Sequence, residues 1–268
     1  MVKEAGTSEQ GLKFTLTIAA VICLLAGLAM GLLAIAGPFA VWLGMADFRM
    51  GFGLLQTVNG WADWIAILSV LVGIGIIALG KAKSLQQAGK LGGIALAGAA
   101  VAALSWYIPE TFRPPEGTPA IHDIATNPDD PLQYIAIAPL RADAANNMEY
   151  GVMAGTEMTP AEHRRLQREA YPDIVPQRFE APVGEVYERA LSAAESLGWE
   201  IVDADPQAAR IEATDTTFWF RFKDDVVIEI TEDGNGSVLN ARSLSRVGRS
   251  DVGKNSARLR EFFALLES

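Results

Sequence analysis

The chain has 268 residues, a single cysteine, two histidines and a formal net charge of −10. An acidic balance of this size repels phosphate backbones and argues against a nucleic-acid partner. One cysteine excludes an internal disulfide framework and a cysteine-based metal cluster.

Three apolar runs occupy the first 110 residues, Phe14 to Ala36, Trp61 to Gly80 and Leu91 to Ile108. A bilayer core of ~30 Å needs roughly 20 apolar residues in a helix, so each run predicts a membrane span. Within them Asp63, between Trp61 and Trp64, reads as an interfacial carboxylate that headgroup water still hydrates. Lys3 and Lys13 precede the first span and Lys81, Lys83 and Lys90 surround the second connection, whereas the 37–60 segment carries only Arg49. The positive-inside rule then puts the amino terminus in the cytoplasm and everything after Ile108 on the other side of an inner membrane, which in a Gram-negative cell is the periplasm. Trp42, Trp61, Trp64, Trp106 and Tyr107 all fall at the outer ends, where amphipathic rings prefer the interface.

Ala34-Ile35-Ala36 resembles a signal-peptide cleavage site, but the preceding run is too long for a usual signal sequence and is read as an uncleaved anchor. Phe48, Phe52 and Leu55 recur at helical spacing and predict a short helix lying in the interface between the first two spans. Gly27 with Gly31, and Gly89 with Gly93, form small-residue pairs suited to close helix contacts, within the chain or with a second copy.

From Pro109 onward there are 16 Lys plus Arg against 28 Asp plus Glu, a net charge of −12. Seven prolines between Pro109 and Pro139 predict an extended lead-in over 109–140 that packs along the surface of a domain covering 111–268. Thr159-Pro160-Ala161-Glu162 starts a polar helix to about Ala170, with Tyr171-Pro172 ending it. Pro182 opens an amphipathic helix whose Val183, Val186, Ala190, Ala194 and Leu197 share a face, capped by Gly198. Strands are expected at Trp199–Val202 and Arg210–Thr214, on either side of an Asp203-Ala204-Asp205-Pro206 turn. Alternation predicts a further strand at Phe218-Trp219-Phe220-Arg221-Phe222, and a hairpin of Val226–Thr231 with Val238–Leu244 follows. A last helix from about Gly253 to Leu266 is expected to bury Val252, Leu259, Phe263 and Leu266. The whole is α+β: three membrane helices, then an antiparallel sheet with helices packed on it.

Gly248-Arg249-Ser250-Asp251-Val252-Gly253-Lys254-Asn255 fits the spacing of a phosphate-binding loop. Asn255 stands where a magnesium-ligating hydroxyl belongs, only 13 residues follow, and the topology keeps the segment from cytoplasmic nucleotide. It is therefore read as a glycine-rich turn before a helix, without a nucleotide or other cofactor. The segment also carries Arg242, Arg246, Arg249, Lys254, Arg258 and Arg260 within 19 residues. The candidate ligand- or partner-binding set is Arg221, Lys223, Asp224, Asp225, Arg242, Ser243, Ser245, Arg246, Arg249, Ser250, Asp251 and Asn255. Arginines and hydroxyls near a helix amino terminus suit a phosphate, sulfate or carboxylate. The structural alternative is an internal ion-pair network with Asp224, Asp225 and Asp251.

These residues carry a family resemblance. Thr214–Thr217 with Trp219-Phe220, then Phe222-Lys223-Asp224-Asp225-Val226-Val227, and Arg242 through Gly253 with Asn255 and Arg258, resemble the signature of domain-of-unknown-function family 1499. Ile121-His122-Asp123-Ile124 and Tyr171-Pro172-Asp173-Ile174 fit the same pattern, so the resemblance spans about residues 113–267. It implies a bacterial or plastid-type domain, often membrane-associated, and no particular reaction.

His163, beside Arg164 and Arg165 on the polar helix, is expected to be solvated. His122 with Asp123 is the weak metal or general-base candidate, without diagnostic ligand spacing; no catalytic residue is assigned. The expected function is a non-catalytic envelope accessory or interaction module, whose partners are the lipid bilayer and another envelope protein or a second copy. Binding of a small anionic ligand or lipid headgroup through residues 242–258 is the alternative, and a hydrolase using Asp224 or Asp225 with His122 ranks third.

Overall fold

The computed structural model describes residues 2–153 and 155–267. The chain divides into two compact units, Met1–Arg113 and Pro114–Ser268.

The first unit is three helices, α1 (Val2–Trp42), α2 (Phe48–Ala82) and α3 (Ala88–Glu110). Over Glu9–Trp42, Phe48–Ala82 and Ala88–Glu110 each is long and apolar enough to cross a membrane. Their outward faces are apolar, with Ile22 60%, Leu32 71% and Leu71 61% exposed, a surface that water does not tolerate on this scale. The Lys3 side chain lies outside the described residues.

The expected interfacial helix between the first two spans is not a separate element. α1 continues through Gly37 and Pro38 to Trp42, and Asp47 then caps α2, its carboxylate accepting from the Met50 amide at 2.9 Å. Phe48, Phe52 and Leu55 thus lie in the first turns of the same helix that carries Trp61. Glycines of this segment serve packing: a methyl group at Gly37 would stand 2.5 Å from the Gly51 carbonyl oxygen. Likewise one at Gly27 would meet the Gly98 carbonyl at 2.0 Å, and one at Gly92 would meet Ile77 at 2.4 Å. Small residues let these backbones approach closely, and Gly27 does so within the chain. Gly89 and Gly93 do not, since nothing lies within 4 Å of a methyl group placed there; Gly92, one position round the helix, faces the neighbour instead.

The second unit is α+β. Its elements are β1 (Asp123–Ala125), a 3₁₀ turn (Ala138–Arg141), α4 (Pro160–Ala170), β2 (Gln177–Phe179), α5 (Val183–Ser196), β3 (Glu200–Asp205), β4 (Arg210–Thr216), β5 (Lys223–Asp233), β6 (Gly236–Ser245) and α6 (Lys254–Leu266). The strands form an antiparallel six-stranded sheet in the order β1-β6-β5-β4-β3, with β2 also on β6.

Register assigns the faces. Val226 pairs with Ala213 and Ser243, and Ile228 pairs with Ile211 and Ala241. Strand side chains alternate between faces, so these residues share the face on which Val186, Ala190 and Ala194 of α5 and Leu259, Phe262 and Leu266 of α6 complete the core. On the opposite face Val227 and Leu244 pack with Tyr134 and Ile137 of the lead-in.

Several expectations are corrected. The lead-in does not run over the surface: Ile121 through Thr126 are buried, and Asp123–Ala125 pair with Leu244–Arg242 as a sheet strand. Prolines forbid a long strand there, but the stretch from Ala120 to Asn127 has none. Phe218–Phe222 is a connection, not a strand: Thr217 donates to the Phe222 carbonyl at 2.8 Å and Arg221 has φ +54°. Asp203–Asp205 extend β3 rather than turning, and the reversal falls at residues 206–209, where Ala209 has φ +46°. Val252 is 42% exposed, because it precedes the first turn of α6 and has φ +51°.

Candidate functional site

The polar candidates fall on both faces of the sheet near one end. On the lead-in face, Asp225 is wholly buried and bound by two guanidiniums. Arg141 contacts its Oδ2, while Arg246 donates to Oδ2 at 2.9 Å and to Oδ1 at 2.8 Å; Thr214 Oγ1 adds a bond at 2.7 Å. Arg141 and the Asn146 amide also donate to the Ser245 carbonyl, at 3.3 and 3.0 Å. The helix-poor segment is thereby fastened to the ends of β5 and β6.

Beside it, Arg242 grips Asp123 through two bonds of 2.9 and 2.8 Å and donates to the Leu132 and Met148 carbonyls, each at 2.7 Å. Its guanidinium lies 5.2 Å from the Tyr134 ring and 5.5 Å from the Tyr150 ring. Burial pushes both tyrosine hydroxyls up, Tyr134 well above its ordinary value, so neither ionises near neutrality. A buried charge needs a partner and further hydrogen bonds to offset lost hydration, and Arg242 has both.

On the helix face, Arg258 of α6 bridges Asp215 at 2.7 Å and Asp224 at 2.6 Å. It also donates to Asn255 Oδ1 at 2.5 Å; Asn255 in turn accepts from Ser243 and donates to Ser245 and to the His122 carbonyl. The amino terminus of α6 is already occupied. Asp251 accepts from the Gly253 and Asn255 amides at 2.8 Å each. This internal carboxylate fills the position an anion would take at a helix start. Burial raises its pKa to about 6, against the pull of those two amides.

Of the expected set, Asp224, Asp225, Arg242, Ser243, Ser245, Arg246, Asp251 and Asn255 thus join a frame of charge-assisted bonds. Arg221, Lys223 and Arg249 are exposed and Ser250 is half-buried. Arg249 donates to the Gly155 carbonyl at 3.3 Å, and Ser250 Oγ accepts from the Val252 amide at 3.1 Å. The frame also uses Arg141 and Asn146, which no motif marked, because their partners lie as far as 104 positions away in sequence, and Thr214 and Asp215, which stood out only within the family resemblance.

Both histidines are buried, which corrects the solvated placement of His163. Thr159 caps α4 as expected, accepting from the Glu162 amide at 3.2 Å. Helical spacing then turns His163 and Gln167 inward together. Gln167 receives the Ala125 amide at 3.1 Å and donates to the Ala125 carbonyl at 2.7 Å, finishing the free edge of β1 as a neighbouring strand would. His163 is fully buried with both ring nitrogens unpartnered, edge-on to Tyr150 at 4.9 Å. Burial lowers its pKa to about 4, so the ring is neutral at pH 7. Burial also lowers His122, whose Nδ1 faces the Arg249 carbonyl at 3.5 Å. Asp123, its expected companion, is committed to Arg242. Among the described residues no group of three or more His, Cys, Asp or Glu is placed to hold a metal ion.

No curated protein matches the chain. A family profile described as "Protein of unknown function (DUF1499)" matches residues 123–266, which takes in every strand from β1 to β6 and the whole Arg/Asp frame. Since that match covers more than half of the 268 residues, the chain belongs to the DUF1499 family.

Proposed function

We propose that the protein is a polytopic inner-membrane protein whose carboxy-terminal domain stands outside the cytoplasm and acts by binding, as an accessory or interaction module of the envelope. The carrying observation is that the arginines at 242, 246 and 258 are held by Asp123, Asp225, Asp215 and Asp224 of the same domain. Charge that would otherwise hold an anionic ligand is spent on clamping the lead-in and α6 to the sheet. The domain is therefore a rigid frame, and recognition falls to the loops it holds out.

Orientation rests on the lysines flanking α2 and α3. Alkaline phosphatase fused after Glu110 is expected to be active in a Gram-negative host, as the enzyme folds only on the outer side; an inactive fusion reverses the topology.

A second reading has one specific support. Two guanidiniums share the single Asp225 carboxylate, leaving one positive charge in excess, and Arg246 is 16% exposed. Such a site would take a small anion. On the frame reading, inorganic phosphate leaves the domain's melting temperature unchanged. A phosphate-dependent rise that Arg246→Gln removes, each variant being compared with its own phosphate-free melting temperature, establishes the anion site instead.

A further inference from the structure

We propose that the β4–β5 loop, residues 217–222, anchors its end of the domain in the headgroup region of an anionic bilayer. This rests on the membrane reading above and not on the accessory role.

The loop is built to present aromatic rings. Thr217 closes it twice, its amide donating to the Phe222 carbonyl at 2.8 Å and its hydroxyl accepting from the Phe222 amide at 2.9 Å. Phe220 folds under and is only 9% exposed, while Phe218 and Trp219 stand out at 64% and 48%. Those two rings meet edge-to-face at 5.2 Å, so they form one unit on a stapled base. Rings of this kind favour the bilayer interface, the indole above all.

The formal charges at this loop, Arg221 and Lys223, are opposite in sign to the net charge of the domain. Arg221 and Lys223 are exposed, and no acid lies between Thr216 and Lys223. The flanking Asp215 and Asp224 are both bound by Arg258. An anionic surface repels a domain of net charge −12 as a whole, so it admits only a locally basic end, and that selects an orientation.

The lead-in joins the domain at the same end. Ile121 accepts from the Asp251 amide and His122 from the Ser245 amide, each at 3.0 Å, where β6 ends. Ser245 pairs with Asp224, one residue from Lys223, where the loop rejoins the sheet. The polypeptide arriving from α3 therefore enters the domain at the end that carries the aromatic loop. Other ends of the fold lack this combination: the β5–β6 turn at the opposite end is Gly234-Asn235, with Asp233 beside it.

The test uses the full chain carrying Cys23→Ser, with Trp219→Cys or Asn235→Cys labelled by an environment-sensitive fluorophore and reconstituted in nanodiscs of phosphatidylcholine with or without phosphatidylglycerol. The label at 219 is expected to emit at shorter wavelength and to be quenched by shallow spin-labelled lipid, more so with phosphatidylglycerol; the label at 235 is expected to remain water-like. Adding Arg221→Gln with Lys223→Gln should remove the phosphatidylglycerol dependence. Equal quenching at 219 and 235 overturns the anchor. So does a blue shift at 219 without lipid quenching, which means that the loop packs against protein, whether a second copy or the chain itself. A chain that fails to enter nanodiscs at all refutes the membrane reading together with the anchor.

Discussion

Asp225→Ala is expected to cost the carboxy-terminal domain about 3–5 kcal/mol, the usual penalty for removing one partner of a buried ion pair. Arg141 would be left with a side chain 2% exposed and no counter-charge, while Arg246 loses two charge-assisted bonds and Thr214 one. For a unit of this size the melting temperature should fall by roughly 10 °C. Asp233→Ala is the control, since Asp233 pairs with Arg178 at side-chain exposures of 44% and 71%, and such pairs contribute about 0–1 kcal/mol. Protection of β5 and β6 amides from hydrogen exchange reads the difference within the intact chain. Equal protection in the two variants removes the frame from the account of stability.

The next largest effect is expected at His163. Its folded pKa of about 4 lies below the ordinary 6.5, so between these values the unfolded chain binds a proton that the folded domain refuses. The stability contributed by the neutral ring is full above pH 6.5 and is lost as pH falls toward 4, about 3 kcal/mol in all. Asp251 works in the other direction over an overlapping window. Its pKa is raised from 3.8 to about 6, so its contribution is full below 3.8 and is lost as pH rises through 6. His163→Leu removes only the first of these. Relative to the parent, the variant should therefore gain about 3 kcal/mol of stability at pH 4 compared with pH 6.5, whatever the constant cost of repacking against Tyr150. Denaturant unfolding at the two pH values measures this difference. Parallel pH profiles for parent and variant would show that His163 is protonated in the folded domain.

What could be read from local signals divides clearly from what could not. The capping residue Thr159 and Pro160 placed α4, and Val186, Ala190 and Ala194 at helical spacing placed α5, because each signal lies within a few residues of its effect. Alternation at Phe218–Phe222 misled, since a stapled aromatic loop and an amphipathic strand share a binary pattern. β2 passed unnoticed because three residues between Pro176 and Glu180 carry no period. His163 looked solvated beside Arg164 and Arg165, yet the face that a helix buries is chosen by what it packs against. The candidate site was legible as a cluster of arginines, with an internal ion-pair network to Asp224, Asp225 and Asp251 as one of its two readings, but the partners supplied by the lead-in were not. Arg141 and Asn146 reach β5 and β6 from 84 and 99 positions away, and no spacing rule joins them.

The apolar runs, the acid excess of the second half and the motifs around residues 214–258 were determined by the sequence alone, because composition, hydropathy and helical periodicity act locally along the chain. Only the tertiary structure decided that the glycines of α1 and α3 serve each other, that the lead-in becomes an edge strand, and that the arginines face their own carboxylates. Those outcomes depend on which buried charges and backbones meet across long loops. Desolvation makes such meetings obligatory once the core forms, yet leaves no local mark in the sequence.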